Sequence, residues 1–262
     1  MMHYLRILKI QWRSSLSRLT IFRASALLGA LYSGLFLLAS ILTVHVYFAD
    51  ASELGGWNKY EMYVLLGSFQ LVVGLGEALF LWAQDSLPED IVNGSLDFYL
   101  LRPVHSLFLV STRELYIPGL LNLPIPLFLI IYGLAGTDWL ITPLSVLAFA
   151  IAVAIGVLFY FLVTQFTLNI CFWVENAGTI TLFADELMKF GSRPRAIYAF
   201  PVQFALGYVF PVITIFNLPA DILKRGFDWI DIGIVGLSAV VLWIIVLKQW
   251  KRGLRRYLGA GS

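Results

Sequence analysis

Three places in the sequence carry side chains that could bind or react. Glu77, in "GLGEALF", is an ionisable group inside an apolar run. Insertion scales set a cost of about 2.5–3.5 kcal/mol on an aspartate at the centre of a membrane helix, so such a group signals a cavity, a partner or a transport path. Trp82, five positions further on, marks where interfacial water could also reach it. Gln165 and Asn169, four residues apart, share a helix face with Phe161 and Phe172. Side-chain amides there bond across helices or line a polar path. The third place is "QDSLPEDIVNGSLDFYLLRPVHS", residues 84–106, polar and punctuated between two apolar runs.

Other chemistry finds no residues. G-x-x-x-x-G-K-[ST] is absent, as is any Gly-Lys pair, so no phosphate-cradling loop is expected. His3, His45 and His105 are scattered, H-E-x-x-H does not occur, and Cys171 is the single cysteine, so no metal site, catalytic dyad or intrachain disulfide is expected.

The elements that must position these residues are membrane helices. Of 262 residues 60% are hydrophobic and 13% charged, against about 25% charged in soluble domains. Runs of about 20 apolar residues, enough to cross roughly 30 Å, predict an all-α polytopic membrane protein of six spans: 25–48, 60–82, 115–134, 143–173, 198–216 and 230–247. Pro118, Pro124 and Pro126 should bend the third. Positive residues stay cytoplasmic. With both termini inside, the inner segments hold Arg6, Lys9, Arg13, Arg18 and Arg23, then Arg102 and Arg113, then Lys189, Arg193 and Arg195, then Lys248, Lys251, Arg252, Arg255 and Arg256. That is 15 of the 18 basic residues. The chain is one transmembrane domain with four appendages: residues 1–23, 84–105, 217–229 and 248–262. Over 1–23, Leu5, Leu8, Trp12, Leu16 and Leu19 recur at helical spacing opposite Arg6, Lys9 and Arg13, the pattern of an interfacial helix on membrane lipid. The positive start lacks an A-x-A site, so it is expected to be retained.

The 84–105 loop has internal order. Ser86 and Glu89 have the spacing of a capping box and Pro88 suits a first turn, so a helix is expected from Leu87 to Asn93, stopped by Gly94. Ser95 is placed to cap a second turn, Leu96 to Leu101, ending before Pro103. Ile91, Val92, Leu96, Phe98, Tyr99 and Leu100 then need a cover, either the chain's own bundle or a docked protein.

The run "GSLDFYLLRPV", with Gly94, Leu96, Asp97, Leu100, Leu101, Arg102 and Pro103, resembles the permease subunits of ABC-2 type exporters, in a subfamily long listed as uncharacterised. A second echo is the proline-punctuated stretch carrying Pro194, Tyr198, Pro211, Pro219 and Ala220. The resemblance implies a type V exporter fold in the inner membrane of a prokaryote. It implies two copies of a separate ABC ATPase that bind ATP and Mg, no cofactor on this chain, and a second permease, identical or a sister; nucleic acid is not implied. It makes Ser86, Glu89, Asp90, Ile91, Asn93, Gly94, Leu96, Asp97, Tyr99, Leu100, Arg102 and Pro103 the ATPase-docking and coupling residues. Residues 217–229 become a re-entrant or interfacial segment at the outer exit, and Glu77, Gln165 and Asn169 are left as transport-path candidates. An ion-coupled secondary transporter using Glu77 is the alternative.

Overall fold

The structure, a computed structural model, describes residues 2–18, 23–174 and 178–257. Its described residues are helical throughout, apart from turns and one isolated bridge between Leu54 and Trp57. Among the described residues four helices are long and apolar enough to cross a membrane: Lys59–Val92, Ile117–Ala135, Pro143–Phe172 and Trp229–Arg256. A fifth is added if the bent pair Phe200–Val209 and Val212–Arg225 counts as one span.

Helix α1 (Met2–Arg18) precedes α2 (Arg23–Tyr47). Residues 19–22 of the expected interfacial helix, and Leu19 with them, lie outside the described residues. Helix α3 (Lys59–Gly76) starts on a reciprocal cap: the Asn58 Oδ1 accepts from the amides of Tyr60 and Glu61, while the Glu61 carboxylate accepts from the Asn58 amide. Orphan amides of a first turn are satisfied this way. A π turn (Glu77–Leu81) joins α3 to α4 (Trp82–Gln84), which runs on to α5 (Leu87–Val92). After α6 (Asp97–Leu100) and α7 (Ser106–Thr112), α8 (Ile117–Asn122) and α9 (Pro124–Ala135) form one candidate span whose helix is interrupted at Leu123, just before Pro124. Helix α10 (Pro143–Leu168) continues as a tight turn to Phe172.

Helix α11 (Gly178–Met188) and the turn Lys189–Ser192 carry the chain from the Phe172 end of α10 to the far end of the bundle. There the Arg193 guanidinium lies over the Tyr47 ring, and Arg195 pairs with Asp231 at 3.2 Å. This corrects the sequence reading in two ways. Arg193 and Arg195 do not sit at the end that carries Arg102 and Arg113, but where α2 ends and α14 begins. The 198–216 window is not one straight helix either. Helix α12 (Phe200–Phe204) and its π turn (Ala205–Val209) meet α13 (Val212–Arg225) at 82°. Pro211 has no amide hydrogen to continue the ladder and pushes Phe210 out of the helical region, to φ −123° and ψ 81°. The segment beginning at Asn217 is the second half of α13. Helix α14 (Trp229–Arg256) absorbs most of the expected basic tail, because Trp250 is buried and its indole donates to Ser106 Oγ at 3.1 Å. Residues 258–262 of that tail are outside the described residues.

The core is made by α3 against α9, α10 and α13, centred on Met62, Val64, Leu65, Phe159, Leu162 and Phe216.

Candidate functional site

The coupling candidates and Glu77 fall in two regions, one at each end of the rod formed by the π turn, α4 and α5. At the lower end of that rod is the Leu87–Pro103 unit. Its first helix ends at Val92 with Asn93 as its cap, and Gly94 follows at φ +73°, a conformation open to glycine without strain. The expected cap does not form. Ser86 is itself in helical conformation and its hydroxyl donates to the Ala83 carbonyl at 3.0 Å, so there is no free first turn for it to cap. Ser95 does not cap the second turn either; its hydroxyl donates to Asp90 Oδ1 at 2.8 Å.

Asp90 is the hub of the unit. Arg113 donates to Asp90 Oδ2 at 2.6 Å and to the Tyr99 hydroxyl at 2.9 Å, and lies over the Tyr99 ring at 5.4 Å. Burial draws the guanidinium toward neutrality, but the Tyr99 hydroxyl and the Asp90 carboxylate outweigh it and hold Arg113 above its ordinary value. The unit's apolar side chains divide cleanly. Leu87 and Leu96 are fully buried, and Ile91 and Tyr99 pack on the core. Val92, Phe98 and Leu101 are 73%, 71% and 83% exposed, beside exposed Glu89, Asn93, Leu100, Arg102 and Pro103, with Asp97 half-buried. The sequence pointed to both groups, but only the fold separates the side chains that anchor the unit from those it displays.

At the upper end is a cavity of about 820 Å³ between α2, α3, α8, α9 and α11, with Tyr160 of α10 on its wall. Glu77 lines it from the π turn, a local widening that often marks functional sites. Asp185, Glu186, Lys189 and Arg193 line it from the α11 side, and Gln70 from α3. Glu186 pairs with Lys189, whereas Glu77 and Asp185 have no ion-pair partner among the described residues and act on one another electrostatically. Gly76 is where a side chain would end the packing: a Cβ there would stand 2.4 Å from the Tyr160 ring. Sequence reasoning missed Asp185. Its signal was an acidic pair, Asp185 and Glu186, in the mostly apolar "TLFADELMKF".

Gln165 and Asn169 are elsewhere. Both are fully buried in a ladder of amides that ties four helices together. Gln84 donates to Gln165 Oε1 at 2.8 Å, Ser111 donates to the same oxygen at 3.3 Å, Gln165 donates to Asn169 Oδ1 at 2.7 Å, and Asn169 donates to Gln249 Oε1 at 3.2 Å. They do not line the cavity. Buried amides bonded to one another across helices fix helix register, although the Gln84 Oε1 finds no partner among the described residues.

Among the described residues no group of three or more His, Cys, Asp or Glu side chains is placed to hold a metal ion. A family model described as "ABC-2 family transporter protein" matches residues 35–261. No curated protein and no solved structure matches the chain.

Proposed function

Because the chain belongs to the ABC-2 transporter family, we propose that it is the transmembrane permease subunit of an ATP-driven exporter. It crosses the membrane six times, with α2, α3, the α8–α9 pair, α10, α11 and α14, and α12–α13 fold back at the end opposite the Leu87–Pro103 unit. Both termini share the cytoplasmic side with that unit. The substrate path forms with a second permease, and ATP and Mg are bound by a separate ATPase subunit.

The observation that carries this reading is the exposed patch of Val92, Phe98 and Leu101 beside Arg102, on a unit whose shape Asp90 and Arg113 hold rigid. Exposed apolar clusters with a polar rim mark partner surfaces, and a rigid mount lets force on the patch pass up α5 and α4 to the π turn at Glu77. The Asp90 carboxylate then serves the unit's shape and not the partner. Mild-detergent purification of the tagged chain from its host, with mass spectrometry, tests the proposal. An ATPase subunit should accompany the wild-type chain and be lost from Phe98→Ser/Leu101→Ser. Recovery of the chain alone, from a preparation that preserves other membrane complexes, would overturn it.

Glu77, which lines the cavity and has no ion-pair partner among the described residues, favours a second reading, an ion-coupled carrier. That reading requires transport to survive ATP depletion while an ion gradient is maintained.

A further inference from the structure

The cavity beside Glu77 has unlike ends. Gln70 donates to Ser40 Oγ at 2.8 Å, and the Tyr63 hydroxyl stands 3.1 Å from His45 Nδ1, so α2 and α3 run antiparallel along it. From the Gln70–Ser40 bond, Glu77 lies seven residues along the chain in one direction and Tyr47 seven residues along α2 in the other. At 1.5 Å per residue these two positions are about 20 Å apart along the helices.

The Glu77 end is acidic. Glu77, Asp185 and Glu186 line it against one ammonium, Lys189, which pairs with Glu186 and attracts Asp185 as well. Glu77 has no ion-pair partner among the described residues and meets Asp185 and Asp85 as like charges. The Tyr47 end is basic. Arg193 lines the cavity there, its guanidinium 5.7 Å from the centre of the Tyr47 ring. It has no carboxylate partner among the described residues, whereas Arg195, two positions on, is held by Asp231. Between the two ends the wall is apolar, with Phe69, Val73, Leu123 and Pro126. An excess of carboxylate at one end and a lone guanidinium at the other complement a ligand that carries a cation and an anion in the reverse order. The separation narrows the class further, because the charges of an amino acid or of a zwitterionic lipid headgroup lie too close together to reach both ends.

We propose that this cavity binds an elongated zwitterionic amphiphile, with its ammonium at Glu77 and Asp185, its carboxylate or phosphate on Arg193 and its apolar body along Phe69 and Val73. As the cargo of an exporter this ligand rests on the function proposed above; as a ligand of the cavity it does not, so binding is measured on the chain alone. The full-length protein in nanodiscs is titrated calorimetrically with three chains of equal length, ω-aminododecanoate, α,ω-diaminododecane and dodecanedioate, and the heat of empty nanodiscs is subtracted. A hydrogen bond to a charged group contributes enough for about a tenfold change in affinity, so the zwitterion should bind about tenfold tighter than either symmetric chain. Arg193→Gln should weaken the zwitterion about tenfold and erase its advantage over the diamine, while Arg193→Lys keeps most of that advantage. Glu77→Gln/Asp185→Asn should erase its advantage over dodecanedioate. Unchanged amide exchange over α10 shows that each variant is folded. Penta-alanine, an extended peptide of similar span, separates two sources of the same chemistry: tighter binding than ω-aminododecanoate assigns the cavity to short peptides, weaker binding to amino-acyl chains. No saturable binding of the zwitterions, a symmetric chain that binds as tightly, or an affinity indifferent to Arg193→Gln would overturn the proposal. Absence of an ATPase from the purified complex would instead leave the binding site standing and remove only its place in export.

Discussion

Two buried ion pairs hold opposite ends of this bundle, and they are made of the same parts. At one end Asp90 meets Arg113 at 2.6 Å over the ring of Tyr99; at the other Glu61 meets Lys224 at 2.6 Å, with the ammonium 4.3 Å from the centre of the Trp57 ring. Their reach differs. Asp90 and Arg113 are 23 residues apart and close one group of short helices, while Glu61 and Lys224 are 163 apart and fasten α13 to the start of α3. Their cations differ to match. The planar guanidinium bridges Asp90 and Tyr99, fixing a shape; the compact ammonium fills the space among Glu61, the Gly56 carbonyl and Trp57, closing a seam. Trp139 completes that seam, its indole donating to Glu61 at 3.2 Å. One pair sets the form of a projecting unit and the other sets how the bent α12–α13 pair sits on the bundle.

The largest effect should follow from breaking the long-range pair. Lys224→Met leaves Glu61, whose side chain is 11% exposed, as a charge without its partner. Removing one member of a buried pair costs about 3–5 kcal/mol, and the denaturant midpoint in detergent should fall accordingly. Glu61→Gln/Lys224→Met should recover most of it, since no lone charge remains. A single variant within about 1 kcal/mol of wild type would mean that the seam is held by apolar packing alone.

Arg113→Lys sharpens the comparison from the other side. The charge stays, but one ammonium replaces a fork that serves two acceptors, so about 1–2 kcal/mol should be lost. Amide exchange should speed up over residues 87–101 and stay unchanged at α3 and α13, because distant sites without shared partners behave independently. Equal loosening at both ends would show the two pairs to be coupled. Phe98→Ser belongs lower on the scale. That side chain is 71% exposed, so its loss should move stability by no more than about 0.5 kcal/mol, whatever it does to partner binding.

These sites differ in how far the sequence announced them. The long apolar runs gave their helices because length and composition suffice for a crossing, and Gly94 announced the break between α5 and α6. Capping was misplaced: Asn58 with Glu61, and Thr142 with Ser145, form reciprocal caps, whereas Ser86 with the same spacing to Glu89 does not. The pattern is local, but whether a first turn stands free depends on the preceding chain, and at Ser86 the helical conformation already continues. Hydropathy overlooked α11 because Asp185 and Glu186, with Lys189 just beyond its end, lower the average over that stretch, and it merged α12 with α13 because a window of apolar residues carries no angle. The ion pairs were invisible for a different reason, since neither Lys224 nor Arg113 has a local pattern that names its partner.

The smallest stability effect is expected at Glu77, and it is the one that separates a structural from a transport role. Glu77 lines the cavity with Asp185, has no ion-pair partner among the described residues, and feels Asp185 and Asp85 as like charges. A group held by the fold resembles Glu61, and its neutralisation breaks something. A group kept for a cargo or an ion leaves the fold indifferent, or relieved of repulsion, when it is neutralised. Glu77→Gln should therefore shift the unfolding midpoint by less than about 0.5 kcal/mol, the range of substitutions that break no buried contact. Transport by the intact assembly should nonetheless fall. Asp185→Asn should behave alike, and the double variant should be no less stable than either single one. A loss of stability at Glu77→Gln approaching that of Lys224→Met would instead place Glu77 among the residues that hold the bundle together, and would leave Asp185 as the cavity's remaining acidic candidate for transport.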